Sequence, residues 1–395
     1  MNVYLSNPSI ICSAGSENLL ESFCKCEPFL TKDSTFLGRD IFIGKCNDLI
    51  ALPQGTKPIY KTRTNEILYN AILTLEPVIL EILQAVGNKQ IAVSLGTTTT
   101  GIGENYLSIA KYCTSCDTSQ KMSYKNMGYV TERSALDNPA EFIKAYFGLD
   151  SAIFGVSSAC TSGGKAIIQA ARMLKANLCK AVICGGVDSL NHLTINGFAS
   201  LDIISSGITK PFTKERDGIN IGEGAGIFVL TTNEVLESFP NLSKYFNVEL
   251  LGYKSNNDAF HITLPSQNPP LEILIDFKEV DYINLHGTGT IANDKMEADL
   301  IAKTFPNTPS SSIKPFIGHT LGAAGAIELG ICAEIILQSL KNGFSLLPPH
   351  IYDNDFSDIC LVKKGEMKCV KIALSTSFAF GGDNSAILIG ANNAN

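Results

Sequence analysis

The stretch Ala152-Ile-Phe-Gly-Val156-Ser-Ser-Ala-Cys160-Thr-Ser-Gly-Gly-Lys165-Ala-Ile-Ile-Gln169 decides how this chain is read. A short apolar run enters a turn of small residues, the turn carries one thiol, and a helical pattern follows. Strand, tight turn and helix in that order belong to α/β folds. A nucleophile placed at the turn follows the logic of a nucleophile elbow, with Cys in the place of Ser. Unpaired N–H groups at a helix start favour negative charge, so the Cys160 thiol is expected to ionise easily and attack as thiolate. Gly163 and Gly164 are expected to leave room for a substrate against the backbone. The bland reading is a buried structural cysteine, and this motif alone leaves both open.

Outward from that turn, strand and helix patterns alternate. Apolar runs at Ile91–Leu95, Ala152–Val156, Ala181–Cys184, Tyr282–Leu285 and Ile372–Ser375 read as strands buried on both faces. Helical patterns cover Thr64–Leu83, Ser162–Ala176, Asp294–Phe305 and Ala323–Lys341. The chain divides into two halves of similar layout, residues 1–240 with Cys160 and residues 241–395 with the basic candidates described below. Pro240 and polar neighbours mark the junction near Glu234–Phe246. The Asn392-Asn-Ala-Asn395 tail reads as frayed.

Composition narrows the function. In 395 residues, 45% are hydrophobic and 17% charged, which excludes a disordered or fibrous chain. A net charge of −7 argues against a protein that coats nucleic acid. Charges interrupt the apolar stretches, so no membrane span is expected. Met1-Asn-Val-Tyr-Leu5 shows no basic segment followed by an apolar run, and the 12 cysteines are therefore expected as reduced thiols in a cytoplasmic protein. Cys24-Lys-Cys26 and Cys113-Thr-Ser-Cys116 are unlike each other and far apart, so neither a structural zinc site nor any other metal is expected.

Two further segments carry chemistry. In Asp281-Tyr-Ile-Asn-Leu-His286-Gly-Thr-Gly-Thr290-Ile-Ala-Asn-Asp294-Lys-Met-Glu297, a strand ends in a polar loop with His286 at its tip. In Ser312-Ile-Lys314-Pro-Phe-Ile-Gly-His319-Thr-Leu-Gly-Ala-Ala-Gly-Ala-Ile-Glu328, Lys314 and His319 flank a loop before a helix of small residues. Either histidine alone would read as structural. One Cys and two His at loop tips form a constellation for acyl chemistry through a thioester.

These three segments resemble the active-site motifs of the β-ketoacyl-acyl-carrier-protein synthases, the elongating (ketoacyl synthase I/II) branch of the thiolase superfamily. Pro211-Phe-Thr213-Lys-Glu-Arg216-Asp217-Gly-Ile-Asn-Ile-Gly-Glu-Gly-Ala-Gly226 resembles the family's Arg-Asp-Gly loop and Gly-rich strand. Asp258-Ala-Phe-His261-Ile-Thr263-Leu-Pro265 resembles its pantetheine-tunnel segment, and Ser377-Phe378-Ala-Phe380-Gly-Gly-Asp383-Asn384 its C-terminal Phe-Gly-Gly loop. The resemblance runs from about residue 90 to the end, with the motifs in order.

The resemblance implies a thiolase-like α/β fold of two similar halves in αβαβα layers, and a homodimer or a heterodimer with a related subunit. It implies that Cys160 takes an acyl group from an acyl carrier protein. Decarboxylative Claisen condensation with malonyl carrier protein then gives a β-ketoacyl carrier protein. His286 and His319 are implied as neutral donors to the enolate, and the backbone N–H groups of Cys160 and Phe380 as the oxyanion hole. Lys314 is implied to organise the site, with Asp294 and Glu328 holding it and the nearby loops. Thr263, Thr288, Thr290 and Phe378 are implied along the phosphopantetheine tunnel, with Phe380 as its gate. No cofactor is held permanently, because the phosphopantetheine arm arrives on the carrier. An acidic carrier docking on an acidic chain needs a local basic patch; Lys57, Lys61 and Arg63 form one candidate, Lys210 and Lys214 another.

The sequence departs from the family pattern at Ala379 (usually Gly), Asp383 (usually Thr) and Thr213 (usually Asp). The loop Gly96-Thr-Thr-Thr-Thr-Gly-Ile-Gly103 is also atypical. These departures lean towards a specialised pathway, polyketide or aryl polyene assembly, over housekeeping fatty acid synthesis. The alternatives are a thiolase or chain-initiating synthase acting on coenzyme A esters, and a chain-length-factor subunit without catalysis. A second reactive Cys near the C-terminus, or an Asn replacing one His, would mark the former pair. Loss of the nucleophile would mark the latter.

Overall fold

Two five-stranded arrangements with one shared connectivity organise the computed structural model, which describes residues 1–115, 127–266 and 268–392. In the first, Val3–Leu5 (β1), Ile91–Gly96 (β2), Ile153–Val156 (β3), Ala181–Asp188 (β4) and Gly224–Thr232 (β5) lie in the order β3-β2-β4-β5-β1. Strand β2 is parallel to β3 and β4, while β5 is antiparallel to β4 and β1. In the second, Val248–Asn257 (β6), Tyr282–Asn284 (β7), Ser310–Ser311 (β8), Ile372–Ala379 (β9) and Asp383–Ala391 (β10) lie in the order β8-β7-β9-β10-β6. The pattern of directions repeats: β7 is parallel to β8 and β9, and β10 is antiparallel to β9 and β6. Strand β1 also pairs with β6 through Tyr4↔Glu249 and Leu5↔Val248, which joins the two arrangements edge to edge.

Helices fill three layers. Arg63–Val86 (α1) and Asn138–Phe147 (α2) pack with Ile91, Val93 and Leu95 on the outer face of the first arrangement. Ser162–Lys175 (α3) packs on its other face, against Ala92 and Val182. The alternation of Ile91, Ala92 and Val93 between two cores is the period-two signature of a strand covered on both sides. On the second arrangement, Ile291–Thr304 (α4) buries Met296, Leu300 and Ile301 against Ile283, Leu285 and Leu374. Ala324–Asn342 (α5) lies with α3 in the middle, touching strands of both halves. The result is the αβαβα layering that the resemblance implies.

Local rules account for the helix limits. Thr62 caps α1 by accepting the Asn65 N–H at 3.1 Å, and Gly87 at φ 83° ends it. Arg172 and Lys175 close α3, where cations suit the carbonyl end. Leu321–Asn342 is long and apolar enough to cross a bilayer, against the expectation that charges break every such stretch. Its apolar window is 83% buried inside the fold, so core packing accounts for its composition.

Two expectations about strands need correction. Ala152–Val156 is not covered on both faces: β3 is the last strand of its arrangement, with one neighbour, and Phe154 is exposed. The antiparallel strands β5, β6 and β10 escape a search for short apolar runs because Gly and polar residues punctuate them. Cys116 of the Cys113–Cys116 pair and residues 393–395 of the tail lie outside the described residues.

Candidate active site

Three loop tips meet at the middle layer. Cys160 stands between β3 and α3, directly after Ala159, whose φ of 51° is left-handed without being glycine. Holding Ala there costs roughly 1–2 kcal/mol, which the surrounding packing must offset. His286 stands after β7, and His319 stands between β8 and α5. The Cys160 sulfur lies 3.1 Å from His319 Nε2. The two imidazole rings meet edge to face, 5.3 Å between centroids. Sulfur and one nitrogen from each ring lie within 4.8 Å of one another.

Hydrogen bonds set the tautomers. The Leu321 N–H donates to His319 Nδ1 at 3.2 Å, so that nitrogen is the acceptor and Nε2 carries the proton. Leu321 reaches this position with φ 54°, a second strained residue beside a reactive one. Lys314 Nζ lies 3.3 Å from His286 Nδ1 and also donates to the His286 carbonyl and to Glu328 Oε1. An ammonium can only donate, so His286 likewise carries its proton on Nε2. Burial, followed by the Lys314 charge, holds both histidines well below the usual imidazole range, so both are neutral at neutral pH. Two neutral Nε2–H donors therefore face one sulfur. The same protons occupy the lone pairs that a metal ion would need, which argues against reading this Cys-His-His group as a metal centre.

The thiol departs from expectation. Burial pushes Cys160 up to about 12, against the pull of Lys314, and Glu328 and Asp188 add to the rise. The start of α3 is in the expected place, but loss of solvent outweighs it. The Cys160 thiol is therefore protonated at neutral pH.

Buried carboxylates hold the loops. Glu328 pairs with Lys314, and both side chains are 2% exposed. Asp294 does not reach Lys314. It accepts the Thr288 and Gly289 N–H groups at 3.1 Å and the Phe212 N–H at 2.8 Å. Glu297, one turn further along α4, accepts the His286 and Gly287 N–H groups, both at 2.7 Å. The sequence points to no role for Glu297, because it lies beyond the first turn of α4, where no capping rule singles it out. Asp188 also went unnoticed. It accepts from the hydroxyls of Thr97, Thr98 and Thr99, the N–H groups of Thr98 and Thr99, and the Gly322 N–H. The four-threonine loop is thus a wrapping for one buried carboxylate.

A cavity of about 350 Å³ reaches this centre. Cys160, His286 and His319 form its floor; Thr263, Thr288, Thr290, Phe378 and Phe380 line its wall. Thr288 and Thr290 share a hydroxyl contact at 2.9 Å, and Phe380 packs on Phe198 with ring centroids 5.8 Å apart. Gly163 and Gly164 do not face this space. A Cβ on Gly163 would meet Ala326 and the Gly322 carbonyl at 2.9 Å, so that glycine serves the close crossing of α3 and α5.

The docking candidates do not gather at the cavity, and none of the five lines it. Arg63 is committed inside the fold to Glu223, Glu66 and the Cys46 carbonyl, which removes it as a free cation. Lys210 contacts Glu215 and lies over the Tyr352 ring. Lys214 sits 3.9 Å from Asp355, and Lys57 and Lys61 are exposed. The lining side chains that reach the surface are apolar Leu201, Leu264, Ile291 and Ala292 and acidic Asp202 and Asp217. The cysteines among the described residues are all free; Cys24 and Cys26 each donate to a carbonyl.

Known proteins supply the family. Residues 81–235 match the family described as Beta-ketoacyl synthase, N-terminal domain, and residues 248–344 match Beta-ketoacyl synthase, C-terminal domain. The chain is 33% identical over 260 residues to a 3-oxoacyl-[acyl-carrier-protein] synthase 2 of Rhizobium meliloti, covering 59% of each. It is 30% identical over 290 residues to a putative mitochondrial 3-oxoacyl-[acyl-carrier-protein] synthase of Schizosaccharomyces pombe, covering 65% of this chain and 66% of that one. The chain thus spans just under two thirds of these relatives' length. A chain of the complex between a ketosynthase and its chain length factor from Xenorhabdus doucetiae superposes with a TM-score of 0.85 at 28% identity, covering 99% of this chain and 98% of that one. A β-ketoacyl synthase from Burkholderia phymatum, at 22% identity and a TM-score of 0.80 over 99% of this chain and 100% of that one, shares the fold. With both domains of the family matched in order, the chain belongs to the β-ketoacyl synthases.

Proposed function

We propose that this protein condenses an acyl group held on Cys160 with a malonyl-type extender, both delivered on carrier protein. The single observation that carries the reading is the pair of imidazoles protonated on Nε2 beside one buried sulfur, His319 at 3.1 Å and His286 within 4.8 Å, in a cavity of about 350 Å³.

In the first half-reaction, Cys160 sulfur attacks the carrier thioester. The backbone N–H groups of Cys160 and Phe380 receive the oxyanion, and the carrier sulfur leaves with the proton that Cys160 gives up. A thiol raised by burial suits this exchange, because the proton passes from one sulfur to the other and no thiolate is left when the carrier departs. In the second, the malonyl C–C bond breaks and CO₂ departs. Its electron pair forms an enolate, whose oxygen is held by the His286 and His319 Nε2–H groups. The enolate carbon then attacks the acyl carbonyl. Collapse expels the Cys160 thiolate, which takes a proton from solvent, and the β-ketoacyl chain leaves on the carrier. Neutral histidines are the right donors here, since an imidazolium, a much stronger acid, would protonate the enolate before its carbon could attack. Lys314 and Glu328 hold His286 in that tautomer, and the threonines line the path of the phosphopantetheine arm.

The reading includes a dimer with a second copy or a related subunit, supported by the unpaired edge strand β3 with its exposed Phe154. The Xenorhabdus ketosynthase works beside a chain length factor, which supports a specialised polyketide or aryl polyene system for this chain. Free cysteines fit a reducing, cytoplasmic setting. Cys160 itself speaks against a role without catalysis. A panel of acyl-carrier thioesters offered with malonyl carrier tests the proposal. It expects a β-ketoacyl carrier and CO₂ in equal amounts from at least one acyl group. Hydrolysis of the thioesters with no C–C bond formed would overturn it.

A further inference from the structure

One departure from the family pattern, Asp383, meets Lys165 beside the nucleophile. Asp383 opens β10 directly after the Phe380–Gly382 turn, and its side chain is 11% exposed. One carboxylate oxygen contacts Lys165 Nζ, on the first turn of α3. The other accepts the Thr161 hydroxyl at 2.5 Å, and Thr161 is the residue after Cys160. Between Phe380 and Asp383 stand Gly381 at φ 81° and Gly382 at φ 74°. Only glycine takes two successive left-handed positions at little cost; the Gly381 N–H donates to the Ile262 carbonyl, the Gly382 carbonyl accepts the Asp258 N–H, and Asp383 ties the end of the turn to α3. Phe380, at the start of the turn, is half-buried.

We infer that Asp383 and Lys165 are positioning residues that fix the spacing between the Cys160 and Phe380 backbone N–H groups. The inference rests on the condensing reading, which assigns those two groups to the oxyanion. Donors to an oxyanion stabilise it only when they are held in place beforehand, and a displacement of about 1 Å can cost ~100-fold in rate. A charge-assisted contact largely shielded from water is stiff enough for that task, and it ties the turn to α3, whereas the backbone bonds of Gly381 and Gly382 tie it only to residues 258–262. Thr161 completes the clamp by carrying it to the residue bonded to Cys160.

The test compares wild type with Asp383→Asn, Lys165→Met and Lys165→Arg. Acyl transfer to Cys160 is read by intact mass in single turnover. Alkylation of Cys160 by iodoacetamide is read alongside, because displacement at a saturated carbon builds no oxyanion. Asp383→Asn and Lys165→Met are expected to slow acyl transfer by about 10- to 100-fold. Carrier KM and the alkylation rate should stay within about threefold, and Lys165→Arg, which keeps the contact, should retain most of the rate. If either variant fails to fold, the other reads the same contact from its opposite side. Variants acylated at the wild-type rate overturn the inference alone. So does a parallel fall in alkylation, which would mean general distortion of the turn. A wild-type protein that alkylates normally yet takes an acyl group from no thioester overturns the condensing reading and this inference with it.

Discussion

The loop after β2 and the loop after β7 occupy the same station in two copies of one topology, yet they do different work. Each follows the central parallel strand of its arrangement, and each wraps a buried carboxylate. In the first half, Asp188 gathers Thr97, Thr98 and Thr99 and reaches across to Gly322 beside His319. In the second, Asp294 and Glu297 gather residues 286–289, and the loop presents His286. The next station repeats the contrast. Cys160 heads α3, His319 precedes α5, and each has a left-handed non-glycine neighbour. A duplicated frame thus supplies rigid loop tips twice, and the side chain at each tip decides its chemistry. The first half contributes Cys160, the proposed nucleophile, and the second His286 and His319, the proposed hydrogen-bond donors.

That division can be broken at its strongest point first. Cys160→Ala should lower acyl transfer by ~10⁴-fold or more while decarboxylation of malonyl carrier continues, because the donors of the second half remain. Loss of both activities together would mean that the halves are not separable. Next, His286→Ala and His319→Ala should each lower condensation by about 10²- to 10³-fold, the usual effect of removing one oxyanion donor, and impair acylation of Cys160 less. Rapid-quench measurement of the two half-reactions separates them; unchanged condensation with lost acylation would reverse the assignment.

The carboxylates sharpen the comparison at a smaller scale. Asp188→Ala and Glu297→Ala each strand buried donors and should lower stability by about 2–4 kcal/mol in denaturant titration. Only Glu297→Ala should also slow condensation, by roughly 10-fold or more, because only that carboxylate holds the backbone of a reactive histidine. Equal kinetic effects from both would erase the distinction between the loops. The last test concerns pH. The folded thiol titrates far above its ordinary value, so its thiolate fraction grows about tenfold per pH unit throughout the neutral range. Alkylation of Cys160 should therefore keep rising from about pH 6 to about pH 9. A plateau near neutrality would show that the α3 terminus, not burial, controls the sulfur.

Much of this was legible before any coordinates. Buried parallel strands are continuous apolar runs, so β2, β4, β7 and β9 stand out, and His286 sits in the loop where β7 ends; Cys160 follows the half-buried edge strand β3 and His319 the two-residue strand β8, so their small-residue turns mark them instead. Glu297 and Asp188 were not legible as loop anchors, because a carboxylate that accepts backbone N–H groups looks in sequence like any surface acid. Lys165 and Asp383 are separated by more than two hundred residues, and only the fold makes them neighbours. The thiol's ionisation was misjudged for the same reason: a helix start is a local signal, whereas burial belongs to the whole molecule. Arg63 looked like a docking cation because its partner Glu223 lies far along the chain.

The central claim is that Cys160 is the sulfur that carries the growing chain beneath two imidazole donors. Incubating wild-type protein with an acyl-carrier thioester, digesting it and mapping the acyl group by mass spectrometry measures this directly. One acyl group per chain, on the peptide holding Cys160 and discharged by malonyl carrier, is the predicted result. An acyl group on any other cysteine, or one on Cys160 that malonyl carrier cannot remove, contradicts it.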